Sequence, residues 1–310
     1  MDQSDAVSIQ GVMKKFNSVT AVADLSLRIP RQAIYGLLGP NGAGKTTTLR
    51  MILRVLQPDA GEIRVLGEPV SDQTSERIGY LPEERGLYPR MEVQKILTFL
   101  GALRGLQEAD AARRSLAWLE RLELGAWANK KVIDLSKGMQ QKVQFIAAVL
   151  HNPPLLILDE PFTGLDPVNA AIIKDIMLEQ RRNGSTIILS THRMEQVEMM
   201  CDSICLIDHG EKVLDGDLKA IKRGYGKNTV RIEYEGDGDF LQLPEVIEKI
   251  NQHGAVVEVR LRPGGDPQEI LKSAVARGAR ITRFELVEPP LNDIFIEKVS
   301  QKRDETVDHH

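Results

Sequence analysis

The sequence lacks any apolar run long enough to cross a bilayer. Its longest apolar stretches, such as residues 145–150 and 155–158, are far shorter than the ~20 residues that a membrane-spanning helix needs. Residues 1–5 are polar and acidic, so we expect no secretory signal there. Any role at a membrane is therefore expected to depend on a partner protein.

The sequence also has few cysteines and no excess of positive charge. The only two cysteines, Cys201 and Cys205, have a C-x-x-x-C spacing that matches neither a redox motif nor a zinc site. We interpret them as reduced thiols in or near a core, which fits a reducing cytosol. The formal net charge is −4, and this acidic balance argues against nucleic acid as a partner.

What the sequence does contain is the pattern of an α/β protein. With 310 residues, it is long enough for one large domain or two smaller ones. Short apolar runs at 34–38, 155–158 and 186–189 predict buried strands, and a helix is predicted at about 168–181. This alternation is typical of a parallel sheet. Apolar residues at helical spacing from about 91 to 124 indicate an inserted helical subdomain, which we assign to about 84–150.

The pattern changes near residue 223. The glycine-rich stretch 224–226 is predicted to be a linker. Beyond it we predict strands at 229–234, 256–261 and 280–287 and helices at 244–252, 267–277 and 291–299. These elements predict a small C-terminal α+β domain that spans residues 226–300.

A glycine-rich motif follows the apolar run at 34–38. The residues that fit G-x-x-x-x-G-K-[ST] are Gly39, Pro40, Asn41, Gly42, Ala43, Gly44, Lys45 and Thr46. Glycines let backbone N–H groups turn inward onto phosphate oxygens, and the following helix points its positive end at the same anion. Lys45 would pair with the β- and γ-phosphates, and the Thr46 hydroxyl would bind Mg²⁺. Thr47, the next residue, belongs to the same predicted nucleotide-binding set. A chance glycine-rich turn is the alternative, but the preceding strand and following helix favour a P-loop.

Two acids, Asp159 and Glu160, end the apolar run at 155–158. Taken alone, this run is a buried strand that reaches the surface. Beside a P-loop, the acids would lie at the carboxyl ends of parallel strands, where ligands bind in such sheets. We therefore predict that Asp159 contributes to the Mg²⁺ shell and that Glu160 orients or deprotonates the attacking water.

Five further segments resemble motifs of the ATP-binding subunits of ABC transporters. Residues 135–141, LSKGMQQ, resemble the signature motif, and residues 163–166, TGLD, resemble the D-loop. Residues 78–83, IGYLPE, are similar to the Q-loop, His192 to the switch histidine, and Phe16 to the aromatic residue that stacks on adenine. A lone histidine or phenylalanine is usually structural, so the resemblance depends on the order and spacing of the motifs.

The resemblance implies a fold, a site and partners. The expected fold is a P-loop NTPase ABC-type nucleotide-binding domain over residues 7–222, with the inserted helical subdomain. Two such domains would sandwich two ATP molecules, as a homodimer or heterodimer. Ser136 and the backbone of Gly138 would bind the γ-phosphate held by Lys45 of the partner subunit, and Asp166 would join the nucleotide-binding set. The implied cofactors are ATP and Mg²⁺. The implied partner is an integral membrane permease, which would hold the chain on the cytoplasmic face.

This sequence departs from the common family pattern at two motifs. Lys137 and Met139 stand in the signature where glycine and glutamine are common, while Ser136 and Gly138 are kept. Glu83 replaces the usual Q-loop glutamine, and we predict that its carboxylate approaches the Mg²⁺ ion. The alternative is a solvent-facing acid beside Glu84 and Arg85.

The residues that occupy some of these motifs indicate a particular branch of the family. Residues 81–89, LPEERGLYP, together with the signature resemble the sodium-efflux-type branch of exporter ATPases, whose members often carry a small C-terminal domain. Residues 278–284 and 288–295 resemble the end of that domain.

We therefore expect an ATP hydrolase that powers an exporter. A soluble ABC ATPase that acts on ribosomes or DNA, or a regulatory module, is the alternative. The absence of a second such domain and the acidic balance count against the former, and Glu160 and His192 count against the latter. No residue here encodes the cargo, and a sodium substrate rests on family analogy alone.

Overall fold

The computed structural model describes residues 5–84, 86–225, 228–253 and 256–307. Two compact units divide the chain, Met1–Gly216 and Asp217–His310. In chain order, the strands of the first unit are β1 (Asp5–Phe16), β2 (Val19–Pro30), β3 (Ile34–Leu38), β4 (Ala60–Val65), β5 (Glu68–Pro69), β6 (Ile78–Leu81), β7 (Leu155–Asp159), β8 (Thr186–Thr191), β9 (Ser203–Asp208) and β10 (Glu211–Asp217).

Two sheets form from these strands. An antiparallel sheet has the order β2-β1-β4-β5, and the larger sheet has the order β10-β9-β3-β8-β7-β6. From β9 through β6, neighbouring strands of the larger sheet run parallel. Every residue of β3, β7 and β8 is buried, as expected for strands covered on both faces.

Helices connect the parallel strands. In the first unit they are α1 (Lys45–Ile52), α2 (Asp72–Glu76), α3 (Val93–Leu103), α4 (Glu108–Arg121), α5 (Lys137–Val149), α6 (Pro167–Arg182) and α7 (Met194–Glu198). The predicted helical insertion corresponds to α3, α4 and α5, which lie in the chain between β6 and β7. Helix α5 packs against β6 and thus joins the insertion to the sheet.

The second unit is an α+β fold. Its elements are α8 (Leu218–Gly224), β11 (Thr229–Glu235), β12 (Ile247–His253), β13 (Val256–Leu261), α9 (Pro267–Ala276), β14 (Arg280–Val287) and α10 (Leu291–Val307). The strands form an antiparallel sheet in the order β12-β13-β11-β14. Asp266 caps α9 by accepting from the Gln268 N–H, as its position before Pro267 predicts.

One predicted helix is wrong. Residues 244–252 were expected to be helical, but β12 begins at Ile247 and pairs with β13. A register shift between Ile247 and Lys249 interrupts the alternation of a strand. Ile247 and Ile250 therefore appear at a spacing that resembles a helix, although pairing with β13 decides the conformation.

Part of the predicted linker at 224–226 lies in a helix of the second unit. Gly224 is the last residue of α8, and Gly226 of the predicted linker lies outside the described residues. Along the chain, the first unit ends at Gly216 and the second begins at Asp217, and the boundary predicted between residues 222 and 226 stays a prediction. Within the described part of the chain, no helix is long and apolar enough to cross a membrane.

Candidate nucleotide-binding site

The parallel sheet brings four separate segments to one edge. Strands β3, β8, β7 and β6 are consecutive neighbours and point the same way. The P-loop follows β3, His192 follows β8, Glu160 follows β7 and Glu83 lies two residues past β6. Because the carboxyl ends of parallel strands share an edge, residues far apart in sequence meet there.

The P-loop backbone depends on glycine. Gly39, Gly42 and Gly44 have φ angles of 151°, 80° and 106°. Residues with a Cβ atom rarely adopt these angles. A Cβ at Gly39 would lie 2.1 Å from the Ile207 carbonyl oxygen, and one at Gly44 would lie 2.4 Å from that of Ala21. The loop therefore packs too closely against neighbouring backbone for any larger residue at these two positions.

A cavity of about 190 Å³ lies over this loop. Its lining residues are Ala21, Asn41, Gly42, Ala43, Gly44, Lys45, Thr46, Thr47, Glu83, Asp159 and Glu160. The structure thus places most of the predicted P-loop residues together with the three predicted acids. Gly39 and Pro40 contribute differently, since their carbonyl oxygens accept hydrogen bonds from Lys45 Nζ at 2.7 and 3.0 Å.

The buried charges at this cavity offset one another. Burial lowers the pKa of Lys45, while Glu160, Asp159 and Glu83 act in the opposite direction. Burial raises the pKa of Asp159, and hydrogen bonding, including that from Thr46, counters it. Thr46 Oγ1 donates to Asp159 Oδ2 at 3.1 Å. The pair presents oxygen ligands beside a lysine, the combination that a triphosphate and its metal require.

Glu160 is held by the strand next to its own. It has a left-handed φ of 49°, uncommon for a residue with a side chain, and its N–H donates to the Ser190 carbonyl at 2.9 Å. The His192 N–H donates to Glu160 Oε1 at 2.9 Å, and His192 Nδ1 lies 2.6 Å from the same oxygen. Thr191 Oγ1 donates to Oε2 at 3.0 Å.

Sequence reasoning missed Thr191. The only available signal was its position directly before His192, because a threonine that ends a buried strand is common in any sheet. It also missed two glutamines of α5. Gln141 Nε2 donates to the Pro161 carbonyl at 3.1 Å, directly after Glu160, and Gln144 Nε2 donates to the Glu84 carbonyl at 3.4 Å. These bonds link α5 to both acidic segments of the site.

The predicted signature and D-loop residues lie outside the cavity lining. Ser136 caps α5, with its Oγ accepting from the Met139 N–H at 3.3 Å. A Cβ at Gly138 would lie 3.1 Å from the carbonyl oxygen of Gly164 in the D-loop segment. Asp166 caps α6 by accepting from two backbone N–H groups at 3.0 Å.

Phe16 also lies outside this cavity lining. It ends β1 with 44% of its surface exposed. Lys14 Nζ lies 5.6 Å from the centre of its ring, and Lys14 pairs with Asp59 at 2.8 Å. The ammonium group of Lys14 thus lies over the Phe16 ring, and the exposed ring stays accessible for stacking.

Together these features define a class of protein. A glycine-dependent phosphate cradle, a buried lysine, a threonine–aspartate pair and a glutamate meet at the carboxyl edge of a parallel sheet. This is the site of a P-loop nucleoside triphosphatase.

Comparison with known proteins identifies the family. The profile of the ABC transporter family matches residues 22–163, and that of the "ATP-binding protein DrrA1-3-like, C-terminal domain" matches residues 216–299. The chain is 47% identical to the ABC transporter ATP-binding protein YhaQ of Bacillus subtilis over 293 residues, 94% of this chain and 98% of the relative. It therefore belongs to the ATP-binding proteins of ABC transporters.

Two further similarities agree. The Nod factor export ATP-binding protein I of Cupriavidus pinatubonensis is 39% identical over 298 residues, 94% of this chain and 89% of that protein. A solved ATP-binding subunit of an ABC transporter is 32% identical with a TM-score of 0.67, covering 71% of this chain and 93% of that one. The predicted α/β fold and ABC family are confirmed, and the chain is an ATP-binding, ATP-hydrolysing subunit of an ABC transporter.

Proposed function

We propose that this subunit powers export through a separate membrane permease, with Glu160 as the residue that activates water. The main support for this catalytic role is the position of the Glu160 carboxylate, which lines the P-loop cavity and contacts His192. Export is supported by the Nod factor export relative. A non-transport role is not favoured, because the relatives compared above are ABC transporter proteins.

Each residue of the proposed catalytic site has a role that follows from its position. Lys45 and the P-loop N–H groups bind the phosphates, and Lys45 exchanges its present carbonyl acceptors for phosphate oxygens. Glu160 accepts the proton of the attacking water, and His192 moves from Glu160 toward the γ-phosphate. The exposed ring of Phe16 stacks on adenine.

The oxygen atoms of this cavity fit Mg²⁺. Thr46 and Asp159 are already within hydrogen-bond distance of each other, and Glu83 lines the same cavity. Hydroxyl and carboxylate oxygens are the ligands that this hard cation prefers. We propose that these three residues hold the ion, whose positive charge would offset phosphate and carboxylate charge during hydrolysis.

The position of the signature motif supports a dimer. Ser136 and Lys137 are exposed and do not line the P-loop cavity of their own chain. We propose that Ser136 and Gly138 bind the γ-phosphate held by a second cassette, either another copy or a related subunit. Asp166 would orient the D-loop at the same junction, since its carboxylate organises the start of α6.

Exposed apolar residues after the Q-loop support contact with a permease. Tyr88 is 55% exposed, and Phe99 and Leu103 of α3 are 43% and 61% exposed. The Tyr88 and Phe99 rings meet edge to face, with centroids 6.5 Å apart. Contiguous exposed apolar side chains are a feature of interaction sites. We propose that the permease binds here and holds the subunit on the inner face of the membrane.

The test is Glu160→Gln, which keeps the side-chain shape but removes the base. ATP binding should persist, while turnover should fall by about 10²- to 10⁴-fold. With hydrolysis stalled, ATP should hold the variant as a dimer in size-exclusion chromatography. Lys45→Ala is the contrast, because it should lose ATP binding and dimerisation together.

A Glu160→Gln variant with wild-type turnover would falsify the proposed catalytic role. A variant that hydrolyses slowly yet stays monomeric at high concentration with ATP would contradict the dimer instead.

A further inference from the structure

We propose that Thr191 is a positioning residue for hydrolysis, whose hydroxyl holds one oxygen of Glu160 in place while the His192 ring leaves the other. This inference rests on the proposed role of Glu160 as the base. The two residues lie on adjacent strands, since β7 ends one residue before Glu160 and β8 ends at Thr191. Thr191 itself would touch neither nucleotide nor water.

The hydrogen bonds of the Thr191 hydroxyl fix its orientation. Its oxygen accepts from the Arg193 N–H at 3.1 Å. A hydroxyl has a single proton to donate, and here Glu160 Oε2 accepts it at 3.0 Å. Because Thr191 is 0% exposed, water does not compete for that proton. The hydroxyl is therefore a directed donor to one carboxylate oxygen.

The two oxygens of Glu160 differ in what holds them. Oε1 contacts the backbone and ring of His192, whose side chain is 52% exposed and which lies past the end of β8. Oε2 contacts Thr191, which is within β8 and is paired with Leu38 at the end of β3. The ring contact comes from a half-exposed side chain past the end of β8, whereas the Thr191 contact comes from the sheet that carries the P-loop.

The attraction between Lys45 and Glu160 is the reason that the hydrogen bond from Thr191 is needed. Lys45 and Glu160 line the same cavity and interact electrostatically. When the His192 ring turns away, Oε1 keeps only its bond from the His192 backbone N–H. Without Thr191, this one backbone bond would have to hold the carboxylate against rotation toward the lysine and away from the attacking water. The hydroxyl opposes this rotation through a bond to a charged acceptor, which is stronger than a neutral bond.

Two variants of Thr191 test the proposal by steady-state ATPase kinetics. Thr191→Val keeps the shape and removes the donor, so kcat should fall about tenfold to one hundredfold, the usual worth of a bond to a charged group. The KM for ATP should stay near wild type, since the phosphate-binding residues are untouched. Thr191→Ser restores the donor and should recover most of the activity.

Thr186→Val is the matched control at the other end of β8. Its hydroxyl is also buried and accepts from the Gln32 N–H at 2.9 Å, but it lies at the opposite edge of the sheet. We expect near-wild-type kcat for this variant. Thr191→Val with unchanged kcat, or Thr191→Ser as slow as Thr191→Val, would overturn the proposal.

The double variant Glu160→Gln, Thr191→Val distinguishes the proposed role of Thr191 from the proposed role of Glu160 as the base. If Thr191 acts through Glu160, the double variant should hydrolyse at the residual rate of Glu160→Gln alone. A further tenfold loss would show that Thr191 acts by another route. Wild-type turnover in Glu160→Gln would contradict the role of Glu160 as the base. Slow turnover in Glu160→Gln together with wild-type turnover in Thr191→Val would contradict only the role of Thr191.

Discussion

Glu83 lines the phosphate cavity although its own surface is exposed. With Asp159 and Glu160 it makes three carboxylates around one lysine. Such a site attracts a cation, and the Thr46 hydroxyl, which donates to Asp159, adds a further oxygen. A glutamate at this Q-loop position would therefore keep the metal-binding role of the usual amide and add a negative charge.

The predicted change at Glu83 concerns the Mg²⁺ requirement. Glu83→Gln should keep ATPase turnover at saturating Mg²⁺, but the concentration for half-maximal rate should rise several-fold because a charged ligand is lost. Glu84→Gln is the matched control, since it removes the same charge one residue away and outside the cavity lining. Mg²⁺ titrations of the ATPase rate that superimpose for all three proteins would exclude Glu83 from the metal shell.

At the scale of elements, α5 joins the parts of the site that lie on different strands. Its N-terminus is capped by Ser136 of the signature, and its glutamines bond the backbone after Glu160 and after Glu83. Movement of the signature motif would thus be transmitted to both acids through one rigid helix.

His151 follows α5 at the junction between the helical insertion and the sheet. Both of its ring nitrogens are buried, and neither is in hydrogen-bond geometry with any residue that the structure describes. Burial, assisted by Arg104, lowers the pKa of His151 from 6.5 to about 4. The folded protein therefore favours the neutral ring more than the unfolded chain does. The resulting stability is complete above pH 6.5 and is lost as the pH falls toward 4.

Replacing His151 should make the protein less sensitive to acid. Between pH 7.5 and pH 5, wild type should lose about 1 kcal/mol more free energy of unfolding than His151→Leu, after allowance for solvent screening. Urea unfolding at the two pH values measures this difference. His209→Leu is the control, since that side chain is 79% exposed. Equal acid losses in wild type and His151→Leu would mean that protonation at this junction is not costly.

At the scale of the whole molecule, each compact unit has its own hydrophobic core. Leu25, Leu49 and Ile157 belong to a core in the first unit, and Val230, Phe240 and Ile270 belong to one in the second. All residues assigned to the nucleotide site precede Gly216. We propose that the second unit is an accessory domain with a regulatory or dimer-stabilising role.

Cutting the chain after Gly216 should leave a folded unit that binds ATP. The cut keeps the whole larger sheet except the last residue of its edge strand β10. Circular dichroism and binding of a fluorescent ATP analogue measure folding and function. Cutting after Gly224 adds α8 and serves as the comparison. An insoluble or non-binding fragment from both cuts would contradict the independence of the first unit.

Local patterns explain which predictions succeeded. The P-loop was recognisable because its conformation depends on glycines within a few residues of each other. The strand at 229–234 was recognisable because Val230, Ile232 and Tyr234 alternate with other residues. The helix at 244–252 was wrong because a strand at this position depends on pairing with β13, which the local pattern does not contain.

The sequence by itself thus determined the family and the α/β class, because these depend on short motifs and their order, while the residues assigned to phosphate binding stay a prediction. Only the tertiary structure decided that the acids, the lysine and His192 meet at one edge, and that Thr191 bonds Glu160 across 31 residues of chain. The physical reason is that a hydrogen bond between neighbouring strands depends on their register, which the packing of the whole sheet sets.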